Sequence, residues 1–423
     1  MSSTKKELLQ FLDQSPVPYF FNEGIRKQLL EAGYDELDEH GDWVLDDQSP
    51  AKAEALPKKG FLIRDNRALV AFNVGGYDSA IIVGTHSDSP CLKIRSKPDI
   101  SSGDLKQVSV HTYGGGIWFT WLGRDLRLVG SATIRDENGK LVEKLIDSED
   151  AIAFIPCSNF GNRPSPNTET QLRPIIGGKK SDNLLTYVAN KLQVEPSEIV
   201  DWDLSFVDAN PPAMCRNFVE SMRLDNLGST FSACKAFLNS EPKNTINILA
   251  VFDHEEVGSN SRFGAASDLL LFVLKRLVGG TNRLAPLIAK SLFVSSDNAH
   301  AVHPNFSTKH DKMHQPLLSK GVVLKSAPHG SYGTDMTSSY PLKHAAKACG
   351  VPLQMFMNRN DIPSGTTIGP IVSTRLGIPT VDIGQPQLSM HSIRETMAVK
   401  DADYLTKLLT ELYNNYEEHR LKL

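Results

Sequence analysis

Residues 246–258 read Ile-Asn-Ile-Leu-Ala-Val-Phe-Asp-His-Glu-Glu-Val-Gly, an apolar strand that runs straight into two adjacent glutamates. An unpaired carboxylate is costly to desolvate at the edge of a core. Two side by side are worse, because like charges in a low-dielectric site oppose each other's ionisation. A divalent cation beside Glu255 and Glu256 is the strongest remedy. The alternative is a solvated loop in which both acids point to water.

The rest of the chain sets that strand in context. Apolar positions at Leu8, Leu9 and Leu12, then Ile25, Leu29 and Leu30, predict helix over the first thirty-odd residues, with Gly33 as a stop. Short apolar runs follow at 60–63, 68–72 and 80–83. From about 223 onward helical periodicity alternates with strands: a helix leading to 246–252, a helix at 267–278 leading to 292–295, and a helix at 335–349 before strands near 353–357 and 379–383. A last helix covers 401–416. This alternation predicts an α/β fold, a three-layer α/β/α sandwich with a largely parallel central sheet.

Between 95 and 175 the pattern changes to short strands at 108–111, 117–121, 126–134 and 141–146, with an Asn138-Gly139 hairpin signal. Ser181 and Asp182 are the expected caps of a helix reaching Leu192. The expected division is a discontinuous catalytic domain, 1–94 plus 216–423, interrupted by a β-rich insert at 95–215, a small barrel or sandwich.

Forty-five basic against forty-nine acidic residues, without a charge block, exclude nucleic acid and membrane surfaces as expected partners. No segment approaches the ~18 consecutive apolar residues of a membrane span, and the first twelve residues lack the apolar run of a signal peptide. The five scattered cysteines never form a Cys-x-x-Cys pair, which fits a reduced, cytoplasmic setting.

Chemistry gathers where the predicted strands end. The 80–85 run leads into His86-Ser87-Asp88, 246–252 into Glu255-Glu256, 291–296 into Asp297 with His300 beyond it, and 380–384 through a Pro-containing loop into His391. Asp225 stands at the front of the helix before strand 246. Open α/β sheets bind ligands beyond the carboxyl ends of their strands. Imidazole with carboxylate oxygen suits zinc. Each member has a duller reading: a hydrogen-bonded structural histidine, a helix cap for Asp225, a turn cap for Asp297. The joint occurrence favours a metal site. Asp88, two residues from His86 on the same face of an extended segment, is the expected partner of that imidazole, or else an Asx-turn before Pro90.

The stretches Thr85-His-Ser-Asp-Ser-Pro-Cys-Leu, Tyr113-Gly-Gly-Gly-Ile-Trp, Arg223-Leu-Asp-Asn-Leu and Asp253-His-Glu-Glu-Val-Gly-Ser carry a family likeness. So do Asp297-Asn-Ala-His-Ala-Val-His-Pro-Asn, Asn360-Asp-Ile-Pro-Ser-Gly-Thr-Thr-Ile-Gly-Pro and Gln387-Leu-Ser-Met-His-Ser-Ile-Arg-Glu. Together they resemble the aspartyl aminopeptidases, cocatalytic zinc metallopeptidases. The resemblance implies two zinc ions per subunit bridged by Asp225, with His86 and Asp297 on one and Glu256 and His391 on the other. It implies Glu255 as general base, Asp88 behind the metal site, and His300, Lys325 and Tyr332 as substrate contacts.

The implied substrate is a peptide with a free N-terminus, Asp or Glu preferred, and the implied assembly is a tetrahedral homo-dodecamer whose contacts use the insert. An acidic substrate side chain needs a cation, for which Lys325 is the candidate. The family also places a histidine in the insert after an Ile-Pro segment. Here that stretch is Phe154-Ile-Pro-Cys-Ser-Asn-Phe-Gly-Asn-Arg, without a histidine, and Asn159, Asn162 or Arg163 is the candidate substitute. Two alternatives follow: the same metal centre with a preference for neutral N-terminal residues, or a non-catalytic assembly protein. The remaining histidines, His254 among them, are expected to be structural or solvated.

Overall fold

The computed structural model describes residues 3–41, 43–44, 54–157, 165–179 and 183–420. A nine-stranded sheet forms its centre. Four adjacent strands in its middle, Thr245–Phe252, Ser79–His86, Leu292–Ser296 and Thr380–Gly384, are mutually parallel. Both flanks bring in antiparallel pairs: Ala68–Val74 against Thr245–Phe252, Lys59–Arg64 against Ala68–Val74, and Val322–Lys325 against Thr380–Gly384. The sheet is therefore mixed, with a parallel centre.

Every residue of Ser79–His86 and Thr245–Phe252 is buried, as expected of parallel strands covered on both faces. Ile81, Val83, Leu249, Val251 and Val294 pack on one face against the helices Leu224–Leu238, Met336–Cys349 and Val399–His419. Ala80, Ile82, Ile248, Ala250 and Phe293 pack on the other against Leu269–Leu277, Thr281–Lys290 and Ile368–Leu376. Register puts Phe252 opposite His86 and Ser295 opposite Gly84 and Asp382, so the polar strand ends lie side by side.

The strands Cys91–Ser102, Leu105–Tyr113, Ile175–Gly177, Ala153–Ile155, Arg124–Arg135 and Ile199–Asp208 pair antiparallel in a closed ring, a barrel. Leu141–Asp147 is appended through the expected Asn138-Gly139 hairpin, whose Gly139 adopts φ 77°. The first barrel strand starts at Cys91, so a cut after 94 falls inside it.

A third, five-stranded sheet was not read from the sequence: Ala213–Cys215, Phe218–Ser221, Glu395–Ala398, Pro386–Leu388 and Ala299–His300. It sets the chain entering Asp225 beside the hairpin that carries His391, through the pairing of Ser221 with Glu395.

Three local expectations are corrected. Residues 117–121 are not a strand. Trp118–Trp121 forms a 3-10 turn in which Thr120 Oγ1 donates to the Ile117 carbonyl and the ring of Trp121 is fully buried. The first helical stretch is two helices, Ser3–Asp13 and Pro18–Glu31, separated around Pro16. The helix Leu184–Leu192 is capped by Asn183, whose Oδ1 accepts from the Thr186 amide; Ser181 and Asp182 lie outside the described residues. Among the described residues no helix is long and apolar enough to cross a membrane.

Candidate metal centre

All five expected ligand residues, together with Glu255, converge beyond the strand ends. His86 Nε2 lies 3.6 Å from Asp225 Oδ1, 3.6 Å from Asp297 Oδ2 and 3.9 Å from Glu255 Oε2. His391 Nε2 lies 3.2 Å from Asp225 Oδ2 and 3.3 Å from Glu256 Oε2. The two oxygens of Asp225 thus face two different histidines. Donor atoms of His86, Glu255 and Asp297 all lie within 4.8 Å of one another, as do those of Asp225, Glu256 and His391.

The fit to metal rests on these separations and on two orphaned atoms. Donors on one tetrahedral zinc stand roughly 3.4 Å apart, given bonds of about 2.0–2.2 Å. Asp225 Oδ1 and Glu256 Oε1 are buried without a hydrogen-bond partner, a cost that a cation would remove. Both imidazoles are also prepared for ligation. His86 Nδ1 is 3.1 Å from the Asp88 carbonyl and His391 Nδ1 is 3.1 Å from the Gly115 carbonyl. A carbonyl only accepts, so each ring keeps a proton on Nδ1 and turns Nε2, the atom a metal would take, toward the acids.

Asp88 does more than expected. Its carboxylate stands 3.3 Å from His86 Nδ1 and accepts the Glu255 amide on Oδ1 and the Glu256 amide on Oδ2, both at 3.1 Å. Tyr113, at the end of a barrel strand, donates its hydroxyl to Asp88 Oδ2 at 2.6 Å.

A family comparison matches residues 11–413 to the model of the aminopeptidase I zinc metalloproteases, M18. The chain belongs to the M18 aminopeptidase family. It is 37% identical over 456 residues to the aspartyl aminopeptidase of Caenorhabditis elegans, covering 96% of this chain and 94% of that one. It is 34% identical to aspartyl aminopeptidase 1 of Schizosaccharomyces pombe, covering 98% and 96%. Among solved structures, Ape4 in the cryo-EM structure of the Ape4 and Nbr1 complex superposes with TM-score 0.92 at 32% identity, covering 100% of this chain and 88% of that one. Chaetomium thermophilum mApe1 gives 0.87 at 28%, covering 98% of each. This M18 member is accordingly a metalloaminopeptidase, an enzyme that hydrolyses N-terminal residues from peptides.

The electrostatics of the M18 site follow from burial. Burial pushes the Glu255 carboxyl up to about 8, with His86 opposing and Asp297, Asp88 and Asp225 adding to the rise. Glu256 is raised well above the carboxylate range by burial and by Asp225. Burial would lower both ligand histidines, but neighbouring carboxylates outweigh it: His86 is raised well above 6.5 and His391 to about 10. These are the values of a metal-free, strongly acidic pocket, in which protons occupy places a cation would take.

His300, Lys325 and Tyr332 are brought together beside Asp297. Lys325 is 3% exposed rather than a surface lysine, and its ammonium donates to Asp297 Oδ1 at 2.9 Å. It also lies 5.6 Å from the Tyr332 ring centre. The rings of Tyr332 and His300 both flank Phe356, at 6.3 and 6.4 Å. His254 has the structural role expected: its Nε2 accepts from Arg67 at 2.6 Å and its Nδ1 meets Ser261 Oγ at 2.8 Å. The insert residues Asn159, Asn162 and Arg163 lie outside the described residues.

Two residues of the site were missed in the sequence, Tyr113 and Glu395. Glu395 has a signal: it shares one face of the strand Glu395–Ala398 with Met397, and both are buried. An acid at an apolar period-two position is informative.

Proposed function

We propose that this M18 enzyme is a dinuclear zinc aminopeptidase that removes N-terminal Asp or Glu from peptides. The observation that carries the reading is the orientation of Asp225, one carboxylate oxygen toward each histidine. His86, Asp225 and Asp297 would hold one ion, and Asp225, Glu256 and His391 the other. When bound, two such ions polarise the scissile carbonyl and lower the pKa of water.

Glu255 is assigned the proton rather than a metal. Its side chain is 14% exposed against 3% for Glu256, so it is the glutamate a water molecule can reach. Bound cations would lower the Glu255 carboxyl from its raised, metal-free value and leave it ionised, as a general base requires. Glu255 takes a proton from the attacking water and returns it to the leaving amine. Asp88, by accepting both glutamate amides, fixes which side chain faces which task. Lys325 supplies the positive charge for an acidic side chain, with Tyr332 and His300 forming the wall beside it.

A second reading has one observation in its favour: the Lys325 ammonium is already paired with Asp297. In that case N-terminal preference shifts to neutral residues. A panel of Asp, Glu, Leu and Ala chromogenic amides, run on wild type and Lys325→Ala, separates the two. The proposal expects acidic substrates to lead and that lead to collapse in the variant; an unchanged preference removes Lys325 from specificity. Glu255→Gln is expected to lower kcat by about 10²–10⁴ while zinc content stays at two. A variant that keeps most of its turnover refutes the base assignment.

The same reading includes a three-layer α/β/α catalytic domain, 1–94 plus 216–423, supported by core clusters on both sheet faces, and an insert at 95–215. It includes a cytoplasmic homo-oligomer, in tetrahedral dodecameric form. Sedimentation of the purified enzyme tests the assembly. A non-catalytic shell is disfavoured because every ligand position and the adjacent base are present.

A further inference from the structure

Glu395 is 1% exposed at the start of the central strand of the five-stranded sheet and lies behind the metal centre. Its Oε1 accepts the His391 amide at 2.7 Å and the Gln387 side-chain amide at 3.3 Å, and its Oε2 accepts the Asp225 amide at 3.0 Å. Arg223, close by, directs its Nε and NH2 donors to the carbonyls of Ser15 and Ser87 instead. Burying an ionised carboxylate is expensive, and a neutral acceptor would serve a purely structural bond at lower cost. What this side chain adds is two divergent oxygens, one accepting from the His391 backbone and the other from the Asp225 backbone.

We propose that Glu395 is a positioning residue that sets the second metal position by holding the backbones of Asp225 and His391 in register. The inference rests on the dinuclear reading above. His391 needs such support: its φ of 69° is left-handed, a conformation that favours glycine. Asp225 opens its helix with φ −83° and ψ 106°, outside helical geometry. Neither backbone is fixed at that residue by a regular ladder, so a shared acceptor sets the distance between them.

The first position is anchored differently. The Asp297 amide donates to the Ile383 carbonyl at 2.9 Å, and His86 ends a strand in register with Phe252. Loss of Glu395 therefore strikes the second position hardest, through both His391 and Asp225, and reaches the first only through the shared Asp225. Asp88 is its counterpart across the site, accepting the amides of Glu255 and Glu256. Behind Glu395, Gln387 Oε1 accepts from Asn298 Nδ2 at 2.7 Å, and the same amide donates to the Leu224 carbonyl at 2.6 Å. That chain links the residue after Asp297 to the residue before Asp225.

The test measures zinc per chain by elemental analysis, and stepwise zinc affinity by competition with a chromophoric chelator. The proteins are wild type, Glu395→Gln, Glu395→Asp and the ligand variant Glu256→Gln. Wild type is expected to hold two ions. Both Glu395 variants are expected to hold the second ion about 10–100-fold more weakly and to weaken the first by less. Glu256→Gln is expected to lose the same ion. Two ions at wild-type affinity in both Glu395 variants overturn the proposal, as does equal weakening of both ions. Failure of both variants to fold with zinc present overturns it in favour of a structural role. A wild type that never takes up a second ion overturns the dinuclear reading itself, and the proposal with it.

Discussion

The two halves of the proposed metal centre meet at Asp225 but stand on different kinds of backbone. His86 and Asp297 project from the ends of adjacent parallel strands in the middle of the nine-stranded sheet, where hydrogen bonding on both sides fixes the chain. Glu256 lies in a one-turn 3-10 segment entered through His254 at φ 62°, and His391 lies in a hairpin tip at φ 69°. Exposure follows the same division: the His86 side chain is 1% exposed and that of His391 29%. Regular structure builds one position, and two buried carboxylates, Asp88 and Glu395, compensate for its absence at the other. The second ion is therefore the one expected to exchange and the one most sensitive to pH.

The harshest way to break this asymmetry is Asp225→Ala, which removes the residue both halves share. Zinc content is expected to fall toward zero and turnover to become undetectable, a loss larger than the ~10–100-fold typical of an outer partner. One ion retained at full affinity would show that Asp225 does not face both positions.

Acid is the next lever. In the metal-free protein burial would lower His391, but Asp225 and Glu256 hold it up to about 10, and His86 is raised too. Below those values each imidazole carries a proton that a metal must displace. Affinity therefore rises with pH, by about tenfold per unit for each displaced proton, and falls on acidification. Chelator competition between pH 6 and pH 8 is expected to show the second ion leaving first. Affinities independent of pH would contradict the protonation pattern.

Tyr113→Phe is the mildest probe. It removes a 2.6 Å hydrogen bond to Asp88, a charged acceptor, and should cost about 1.5–3 kcal/mol in thermal or denaturant unfolding. Because Asp88 orients both glutamate amides, kcat is expected to drop about tenfold with two ions still bound. An unchanged kcat would confine Tyr113 to stability.

Where the sequence was legible, local pattern and function coincided. The runs ending at His86, Phe252 and Ser296 are continuous apolar strands, and their polar termini disclose the site without any knowledge of pairing. The parallel centre followed from alternation of helix and strand. What escaped reading depends on partners far away. The five-stranded sheet is made of pieces two to four residues long, held by pairings such as Ser221 with Glu395, too short to show a period. The helices Thr281–Lys290 and Ile368–Leu376 escaped because each contains a proline; Pro370 sits in the first turn, where its missing amide costs little, and at the interior Pro286 packing of Leu287 and Ile288 against the sheet outweighs the local cost. Trp118–Trp121 reads as a strand from its aromatics, yet Ile117 donates its amide to the His391 carbonyl and the chain turns there. Lys325 was singled out in the sequence, but its bond to Asp297 could only come from the antiparallel register of Val322–Lys325 against Thr380–Gly384.

The central claim is that Asp225 is shared by two ions while Glu255 stays off the metal. Anomalous diffraction at the zinc edge from crystals of the zinc-loaded enzyme tests it most directly. Two peaks are expected, one bounded by His86, Asp225 and Asp297 and the other by Asp225, Glu256 and His391, with the Glu255 carboxylate outside bonding distance of both. A single peak, or a peak ligated by Glu255 in place of Asp225, would contradict the account.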